Sequence, residues 1–437
     1  LKKGFFTVMV AQALSSLADN ALFIAAIALI HQLSGPAWLD ALLKWSFAAS
    51  YVILAAFVGA FADSFPKGRV MFVTNAIKIT GCLLMFLSGT IASHHTELQT
   101  TIICLAYTLV GIGAAAYSPA KYGIVTELLP PKDLVKGNGW IEGLTVLSII
   151  LGFVLGGVLI SQGATQWFLQ FDIFQPFKET PAEIAIILIG FIYIAAAICN
   201  LLIPSTNYKY PKQPTNPIVL TKTFARYVMI LWKDKVGQIS LAVTTLFWGA
   251  GAVIQLVVLK WGTDHLGLDV ASSSYLMGIA AIGTILGSIL ASRIPLEKAL
   301  CVLPVGVIMG LSVMLMVIVK ENWAVYAVLI LVGALSGLFV VPMNALLQHR
   351  GHVLLSAGHS IAVQNFNEQL NILIMVLVYG IMVSLDLHIN TIIIIFGCIV
   401  ATLMYIVIVF SKKNQRKYPE AFAEIGDTGH GKSQSYH

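Results

Sequence analysis

Thr391-Ile-Ile-Ile-Ile-Phe-Gly-Cys-Ile-Val-Ala-Thr-Leu-Met-Tyr-Ile-Val-Ile-Val-Phe-Ser411 is a run of 21 residues with no charge and no proline. As a helix it would be about 31 Å long, which matches the roughly 30 Å hydrocarbon core of a bilayer. Its apolar residues are continuous rather than alternating, which argues against a barrel strand and for a helix that satisfies its own backbone. Runs of the same kind recur along the whole chain, at about 5–33, 41–62, 70–93, 100–122, 138–162, 183–203, 237–263, 271–293, 299–319, 324–347 and 357–385, making twelve spans with 391–411. The composition agrees. Only 26 Lys and Arg and 20 Asp and Glu stand among 437 residues, 11 % charged, against roughly 25 % in an average soluble domain. Hydrophobic residues make up 58 % and the mean hydropathy is +0.87. A soluble chain of this size would have to expose far more apolar surface than water tolerates. A soluble enzyme, a nucleic-acid binder and a disordered chain are thereby excluded, and no nucleic-acid partner is expected. Cys82, Cys104, Cys199, Cys301 and Cys398 all fall in apolar runs and read as small buried hydrophobes, with neither a disulfide framework nor a metal spacing.

The first run is too long for a signal peptide, carries Asp19-Asn20 at its middle and lacks a small-residue cleavage site, so it reads as a span. The chain opens on Leu1 rather than Met, and a native start is expected upstream. The longest polar interruption, residues 204–236, begins with Pro204, Pro211, Pro214 and Pro217. It continues into an amphipathic stretch from Val219 to Trp232, which is expected to lie on the membrane surface. The resulting organisation is an N-terminal six-helix half (1–203), a linker with an amphipathic helix (204–236), a C-terminal six-helix half (237–411) and a tail (412–437). With the N-terminus inside, 20 of the 26 Lys and Arg lie on the cytoplasmic side and only Lys178 and Lys320 opposite, which puts both termini in the cytoplasm. The halves also resemble each other weakly. Val110-Gly111 and Pro119-Ala120 in span 4 recur as Val332-Gly333 and Pro342-Met343 in span 10. Parallel repeats of this kind mark secondary transporters, with the substrate site between the halves.

Charges inside the spans are the informative exceptions. Each costs about 2.5–3.5 kcal/mol at the bilayer centre on insertion scales, so it is expected to face the bundle interior with a partner. Asp19, Glu142 and Glu368 are acidic; Lys44, Lys78 and Lys121 are basic. Lys44 is near a span end and reads as an interface anchor that snorkels. Asp19 lies about 21 Å along a helix from Phe5, too deep for that. The set fits a structural ion-pair network or a substrate and gating site. In span 11, Ser360, Gln364, Asn367 and Asn371 fall on one helical stripe, bordered by Asn365 and Glu368. That stripe is expected to wall a polar cavity, with interhelical hydrogen bonding as the alternative. Asn344 and Gln348 form a similar pair after Pro342, a break expected to flex, and Gln255 is one polar residue below Phe247-Trp248-Gly249 on span 7. Gly139/Gly143, Gly152/Gly156 and Gly283/Gly287 have close-approach spacing, and spans 5 and 8 are expected to meet through them. There is no phosphate loop, no nucleophile–base pair and no standard metal spacing, so neither an enzyme nor a bound cofactor or metal is expected. The loop Gly59-Ala-Phe-Ala-Asp63-Ser-Phe-Pro-Lys67-Gly68-Arg69 resembles the signature of the major facilitator superfamily. Asp63, with Lys67 and Arg69, is expected to latch a cytoplasmic gate by accepting from an Arg or a helix N-terminus.

Longer segments carry a more specific likeness. Leu17-Ala-Asp19-Asn20-Ala-Leu, Asn75-Ala-Ile-Lys78, Tyr117-Ser-Pro-Ala-Lys121-Tyr122-Gly, Asn138-Gly-Trp-Ile-Glu142, Leu246-Phe-Trp248-Gly-Ala-Gly251, Val341-Pro-Met-Asn344-Ala-Leu-Leu-Gln348 and Ala362-Val-Gln364-Asn365 run from span 1 to span 11. With them the chain resembles the bacterial lysophospholipid transporter family, a branch of the major facilitator superfamily. The resemblance implies an all-α membrane protein with the major facilitator fold. It also implies a flippase that moves lysophosphatidylethanolamine and related lysolipids from the outer to the inner leaflet of the Gram-negative inner membrane. There a cytoplasmic lysophospholipid acyltransferase completes phospholipid remodelling. Asp19, Asn20, Lys78, Lys121, Tyr122, Glu142, Trp248, Gln255, Asn344, Gln364, Asn365 and Glu368 are then the substrate-binding or gating candidates. A zwitterionic headgroup needs both signs, with Lys121 or Lys78 for the phosphate and Asp19, Glu142 or Glu368 for the ammonium. Enterobacterial members carry a basic residue where Gln255 stands and an acid where His349 stands, so headgroup preference is expected to differ. The loop 163–182 is longer than usual and rich in Phe and Trp, as expected of a piece resting at the outer interface. The competing reading is a proton-coupled exporter of amphipathic drugs, with Asp19 or Glu368 titrating.

Overall fold

A computed structural model describes residues 3–130, 134–355 and 357–425. Twelve helical segments are long and apolar enough to cross a membrane, and no strand occurs among the described residues. The first six are α1 (Lys3–Gln32), α2 (Trp38–Ser64), α3 (Lys67–Ile91), α4 (Thr96–Leu128), α5 (Leu134–Ile160) and, after the short α6 (Gln162–Phe168), α7 (Ala182–Leu201). The linker forms α8 (Pro217–Lys233). The second six are α9 (Gly237–Asp264), α10 (Val270–Ala291), the segment Leu296–Val317 with α11 (Leu303–Val313) at its centre, α12 (Asn322–Leu354), α13 (Ala357–Ser384) and α14 (Ile389–Lys417). A final short helix, α15 (Pro419–Ala423), ends the described chain. Pro119 and Pro342 sit inside α4 and α12, which run through them as continuous helices. Pro342 is therefore no break.

The two sets of helices pack alike. In the first, α1 lies against α5 and α7, α2 against α4, and α3 against α4 and α7. In the second, α9 lies against α13 and α14, α10 against α12, and α11 against α12 and α14. This is the same pairing with each helix replaced by its counterpart six spans later, so the weak sequence repeat is a structural one. The halves meet along two seams, α2 with α13 and α5 with α10. Outward-facing residues such as Ile53, Leu105, Phe191, Ile308 and Tyr405 are exposed, as lipid-facing positions should be.

Spans 5 and 8 do meet, but through other glycines than their spacing implied. Gly152 and Gly156 face α1, where added Cβ atoms would stand 2.7 Å from the Leu17 carbonyl oxygen and 3.0 Å from that of Ala21. Gly283 and Gly287 face α12, where Cβ atoms would collide with the carbonyl oxygens of Ile330 and Ala334. Both motifs therefore set crossings inside a half; a Cβ added at Gly143 would meet nothing within 4 Å, and the surroundings of Gly139 lie outside the described residues. The α5–α10 seam instead closes at Gly157, against Ser274 and the Ala271 carbonyl, and at Gly278, against Val154. Only Cys82 and Cys104 behave as buried hydrophobes; Cys301 and Cys398 are exposed and Cys199 is half-buried.

The α5–α10 contact lies near the end of α5 and the start of α10. Ala41 of α2 approaches Gly380 of α13 at the same end of the bundle. Towards the other end, where the chain termini lie, Val146 and Ile150 of α5 and Ile285, Ile289 and Ser292 of α10 line a shared cavity. The halves thus touch at one end and separate towards the other. The linker crosses the separated end. Asn216 caps α8 by accepting from the Ile218 N–H at 3.0 Å. Phe224 packs on Phe366 at 5.3 Å, and Trp232 Nε1 donates to Asn367 Oδ1 at 2.9 Å. The amphipathic helix is therefore pinned to α13 as well as presenting Ile218, Val219 and Met229 outward. In the segment after α5, Trp167 packs edge-on against Phe168 and Phe171 with Ile173 fully outward, an apolar surface suited to the lipid interface.

The glycine contacts make a direct prediction. Gly287→Val is expected to destabilise the α10–α12 crossing by about 1–3 kcal/mol, since carbonyl backbone cannot give way as a side chain can. Thermal unfolding in detergent should show a lowered midpoint, whereas Gly163→Ala, which meets nothing within 4 Å, should leave it in place or raise it slightly.

Candidate functional site

A cavity of about 820 Å³ lies between the halves. It is lined by Asp19, Asn20, Lys78, Lys121, Tyr122, Trp248, Gln255, Asn344, Asn365 and Glu368, ten of the twelve sequence candidates for substrate binding. Of the other two, Gln364 stands just behind the wall, and the Glu142 side chain lies outside the described residues.

The N-terminal wall is organised around Asp19. Lys78 Nζ donates to Asp19 Oδ2 at 2.8 Å and to Ser15 Oγ at 2.8 Å. Tyr193 OH donates to Asp19 Oδ1 at 2.6 Å, and Ser15 Oγ donates in turn to Asn75 Oδ1 at 2.6 Å. Lys78 also lies over the Tyr117 ring at 5.0 Å. Both carboxylate oxygens are engaged, and four helices (α1, α3, α4 and α7) contribute to one buried network. The cavity face of α1 adds Gln12, Ser15 and Ser16. With Asp19 and Asn20 they fall at i, i+3, i+4, i+7 and i+8, a polar stripe that the sequence reading missed although its period is plain. Tyr193 carried no such signal, because a tyrosine in an apolar run reads as packing. Lys121 is buried, and its ammonium lies 4.6 Å from the ring of Tyr122.

Lys44 departs from expectation. It is no interface anchor but points into the cavity, where its ammonium donates to Gln255 Oε1 at 2.7 Å. It lies 5.2 Å from the centre of the Phe23 ring and 6.0 Å from that of Phe153. α2 turns its Lys44 face inward because α13 and α4 pack on either side of it, which no property of residue 44 alone reveals. Lys260 is paired with Asp264 at 2.8 Å, one turn along its own helix.

α13 divides its polar residues between two tasks. Asn371 Nδ2 donates to the Thr245 carbonyl at 2.9 Å, Asn367 accepts from Trp232, and Ser360 packs against Gly351. Three of the four stripe residues are therefore interhelical joints rather than cavity wall. The wall is the adjoining face, with Asn365, Glu368 and Ile372. Gln364 connects the two by donating at 2.8 Å to both Asn344 Oδ1 and Glu368 Oε1.

The loop between α2 and α3 forms a separate cluster. Lys67, itself buried, pairs with Asp63 and donates to the Ala62 carbonyl at 2.9 Å. Asp63 thus finds its partner four residues on, not in an arginine; Arg69 is exposed. The Tyr210 ring of the linker lies 4.1 Å from Lys67 Nζ. Burial, and then a hydrogen bond to Glu127, holds the Tyr210 hydroxyl well above its ordinary pKa. Thr206 donates to the same Glu127 at 2.6 Å, so the linker is fastened to the end of α4.

These features have counterparts among known proteins. Residues 4–374 match the model of the Major Facilitator Superfamily. The chain is 38 % identical over 392 residues to the lysophospholipid transporter LplT of Serratia proteamaculans, covering 88 % of this chain and 89 % of that one. It is also 38 % identical over 401 residues to the protein of the same name from Escherichia coli O1:K1, covering 91 % and 94 %. Among solved structures, a bacterial homologue of the iron transporter ferroportin in an outward-facing state superposes with a TM-score of 0.64 at 13 % identity, over 95 % of this chain and all of that one. An inward-facing bacterial homologue of the human lysosomal transporter Spinster gives 0.62 at 14 % identity, over 95 % and 97 %. The last two establish the fold alone. The family model and the identity across nine-tenths of the chain establish more: this chain belongs to the lysophospholipid transporter family of the Major Facilitator Superfamily.

Proposed function

We propose that the chain carries lysophospholipids, chiefly lysophosphatidylethanolamine, from the outer to the inner leaflet of the Gram-negative inner membrane. The observation that carries this reading is the cavity between the halves, which combines charges of both signs with an apolar wall on the α5 and α10 side. Lysines on its wall, Lys121 among them, offer positive charge to a phosphate, and Glu368 offers negative charge to an ammonium. Ile285 and Ile289 of α10 line the same cavity and are 46 % and 53 % exposed, an apolar surface beside the polar one. An acyl chain passing between α5 and α10 would stay in contact with lipid while its headgroup occupies the polar interior. The names of the relatives support the same substrate class.

With both termini cytoplasmic, as the basic bias implies, the cavity opens inward. Alternating access would then rock the halves, residues 1–203 and 237–411, about the cavity. The linker, residues 204–236, and the Asp63–Lys67–Tyr210 cluster would steady the cytoplasmic side, with Arg69 free to engage as the gate closes. The delivered lysolipid would be consumed by an acyltransferase at the cytoplasmic face. The chain itself works as a carrier rather than an enzyme.

Proteoliposomes with a spin-labelled lysophosphatidylethanolamine test this. Wild type is expected to move label between leaflets, and Lys121→Ala and Glu368→Gln to slow it at least about tenfold, the worth of one charge-assisted hydrogen bond. The flux should be indifferent to a protonophore; collapse with the pH gradient would favour the exporter instead. The Asp19–Lys78 pair separates structure from transport. Asp19→Asn strands a buried ammonium and is expected to lower stability by about 3–5 kcal/mol. Asp19→Leu combined with Lys78→Met should recover most of that stability but not the flux. Recovery of both would make the pair purely structural.

A further inference from the structure

The cations inside this bundle are not all neutralised in the same way. Lys78 has Asp19 at 2.8 Å, Lys260 has Asp264 at 2.8 Å and Arg350 has Asp234 at 2.6 Å. Lys44 has no carboxylate within 4.0 Å among the described residues. Its one hydrogen-bond acceptor is the neutral amide of Gln255, and its other neighbours are the rings of Phe23 and Phe153. An ammonium has three N–H donors, so two remain when Gln255 takes one. Aromatic faces soften the charge without supplying a counter-ion. A primary amide that accepts through Oε1 still has an NH2 group to donate. The pair therefore offers an ammonium and an amide donor side by side on the cavity wall, with no acid to balance them.

The position of the pair matters as much as its charge. Lys44 belongs to α2 and Gln255 to α9, so their hydrogen bond crosses from one half to the other. It lies where the halves still touch, on the wall of the cavity and next to the aromatic surface of Phe23 and Phe153. Lys78, buried in the N-terminal wall, already serves Asp19 and Ser15.

We propose that Lys44 and Gln255 form the anion subsite of this cavity and take the phosphodiester of the lysolipid headgroup. The phosphate accepts from the Lys44 ammonium and from the Gln255 amide in place of the bond they make to each other. This rests on the lysophospholipid reading above, and assigns within it a residue that a motif comparison would pass over.

Binding to the purified full chain in nanodiscs tests the assignment. Four probes are used: lysophosphatidylethanolamine, glycerophosphoethanolamine as the headgroup without a tail, inorganic phosphate, and monoacylglycerol as a tail without phosphate. Lys44→Gln is expected to weaken lysophosphatidylethanolamine binding about tenfold or more and to leave monoacylglycerol binding unchanged. Lys44→Arg should stay within about threefold of wild type. The exchange Lys44→Gln with Gln255→Lys, which moves the ammonium across the same contact, should return binding to within about threefold. Thermal midpoints identify any variant that has lost its fold, and the exchange variant keeps the test open if Lys44→Gln is one of them. Wild-type binding in Lys44→Gln overturns the assignment, as does equal loss in all three variants at unchanged midpoints. Competition by inorganic phosphate as strong as that by glycerophosphoethanolamine overturns the headgroup as the ligand. A wild-type chain that binds neither lysolipid nor headgroup removes the functional reading itself. Binding that survives in wild type and in Lys44→Gln alike removes only this subsite.

Discussion

A carboxylate cannot stand alone in the middle of an apolar bundle, and the N-terminal half is built to meet that constraint. Asp19 of α1 draws Lys78 from α3 and the Tyr193 hydroxyl from α7, and the Tyr107 hydroxyl of α4 reaches the Asp19 carbonyl at 3.4 Å. Four helices are thereby held at fixed rotation about their axes. Apolar packing alone fixes rotation poorly in lipid, because the solvent outside is as apolar as the neighbour inside. The ion pair removes that freedom, and the cavity wall follows from it. Once α1 is turned to bury Asp19 against Lys78, its stripe of Gln12, Ser15, Ser16 and Asn20 must border the space between the halves.

The C-terminal half solves the same problem with amides. Asn371, Asn367 and Gln364 tie α13 to α9, α8 and α12, where the N-terminal half uses charge. A neutral amide is cheaper to bury than an ion and makes weaker, more easily exchanged bonds. The two halves share a packing plan and differ in what holds it. The N-terminal wall is locked by a buried ion pair; α13 is laced to its neighbours by hydrogen bonds to carbonyls and side chains, and the Arg350–Asp234 ion pair fastens α12 to the linker instead. Among the described residues, the α5–α10 seam closes on Gly157 and Gly278, against Ser274, Tyr275 and Val154, a packing contact that suits surfaces that part.

The spans, the linker helix and the charged and amide residues of the cavity were legible because each rests on a property of the chain itself, whereas Tyr122 and Trp248 were reached only through the family resemblance. Length and continuity of an apolar run decide a membrane helix, and the insertion cost of a charge decides that it faces inward. What was misread depends on which way a helix faces. Lys44 looked like an anchor by its distance from a span end, and the α13 stripe looked like one wall. The glycine pairs of spans 5 and 8 looked like one seam and proved to be two separate crossings, each inside a half. In a soluble protein the apolar face would have disclosed these orientations. Here both faces are apolar and the periodicity carries little.

By itself, then, the amino-acid order determined that this protein lives in a membrane, how many times it crosses and which residues are too polar for lipid. It also determined the family, through segments spread from Asp19 to Gln364. The tertiary structure decided who meets whom: Lys78 with Asp19 and Tyr193, Lys44 with Gln255 across the halves, Asp63 with Lys67 in its own loop. Partition into lipid is a sum over residues and can be read along a line. Pairing is a matter of rotation and register between helices, and only packing the whole bundle settles it.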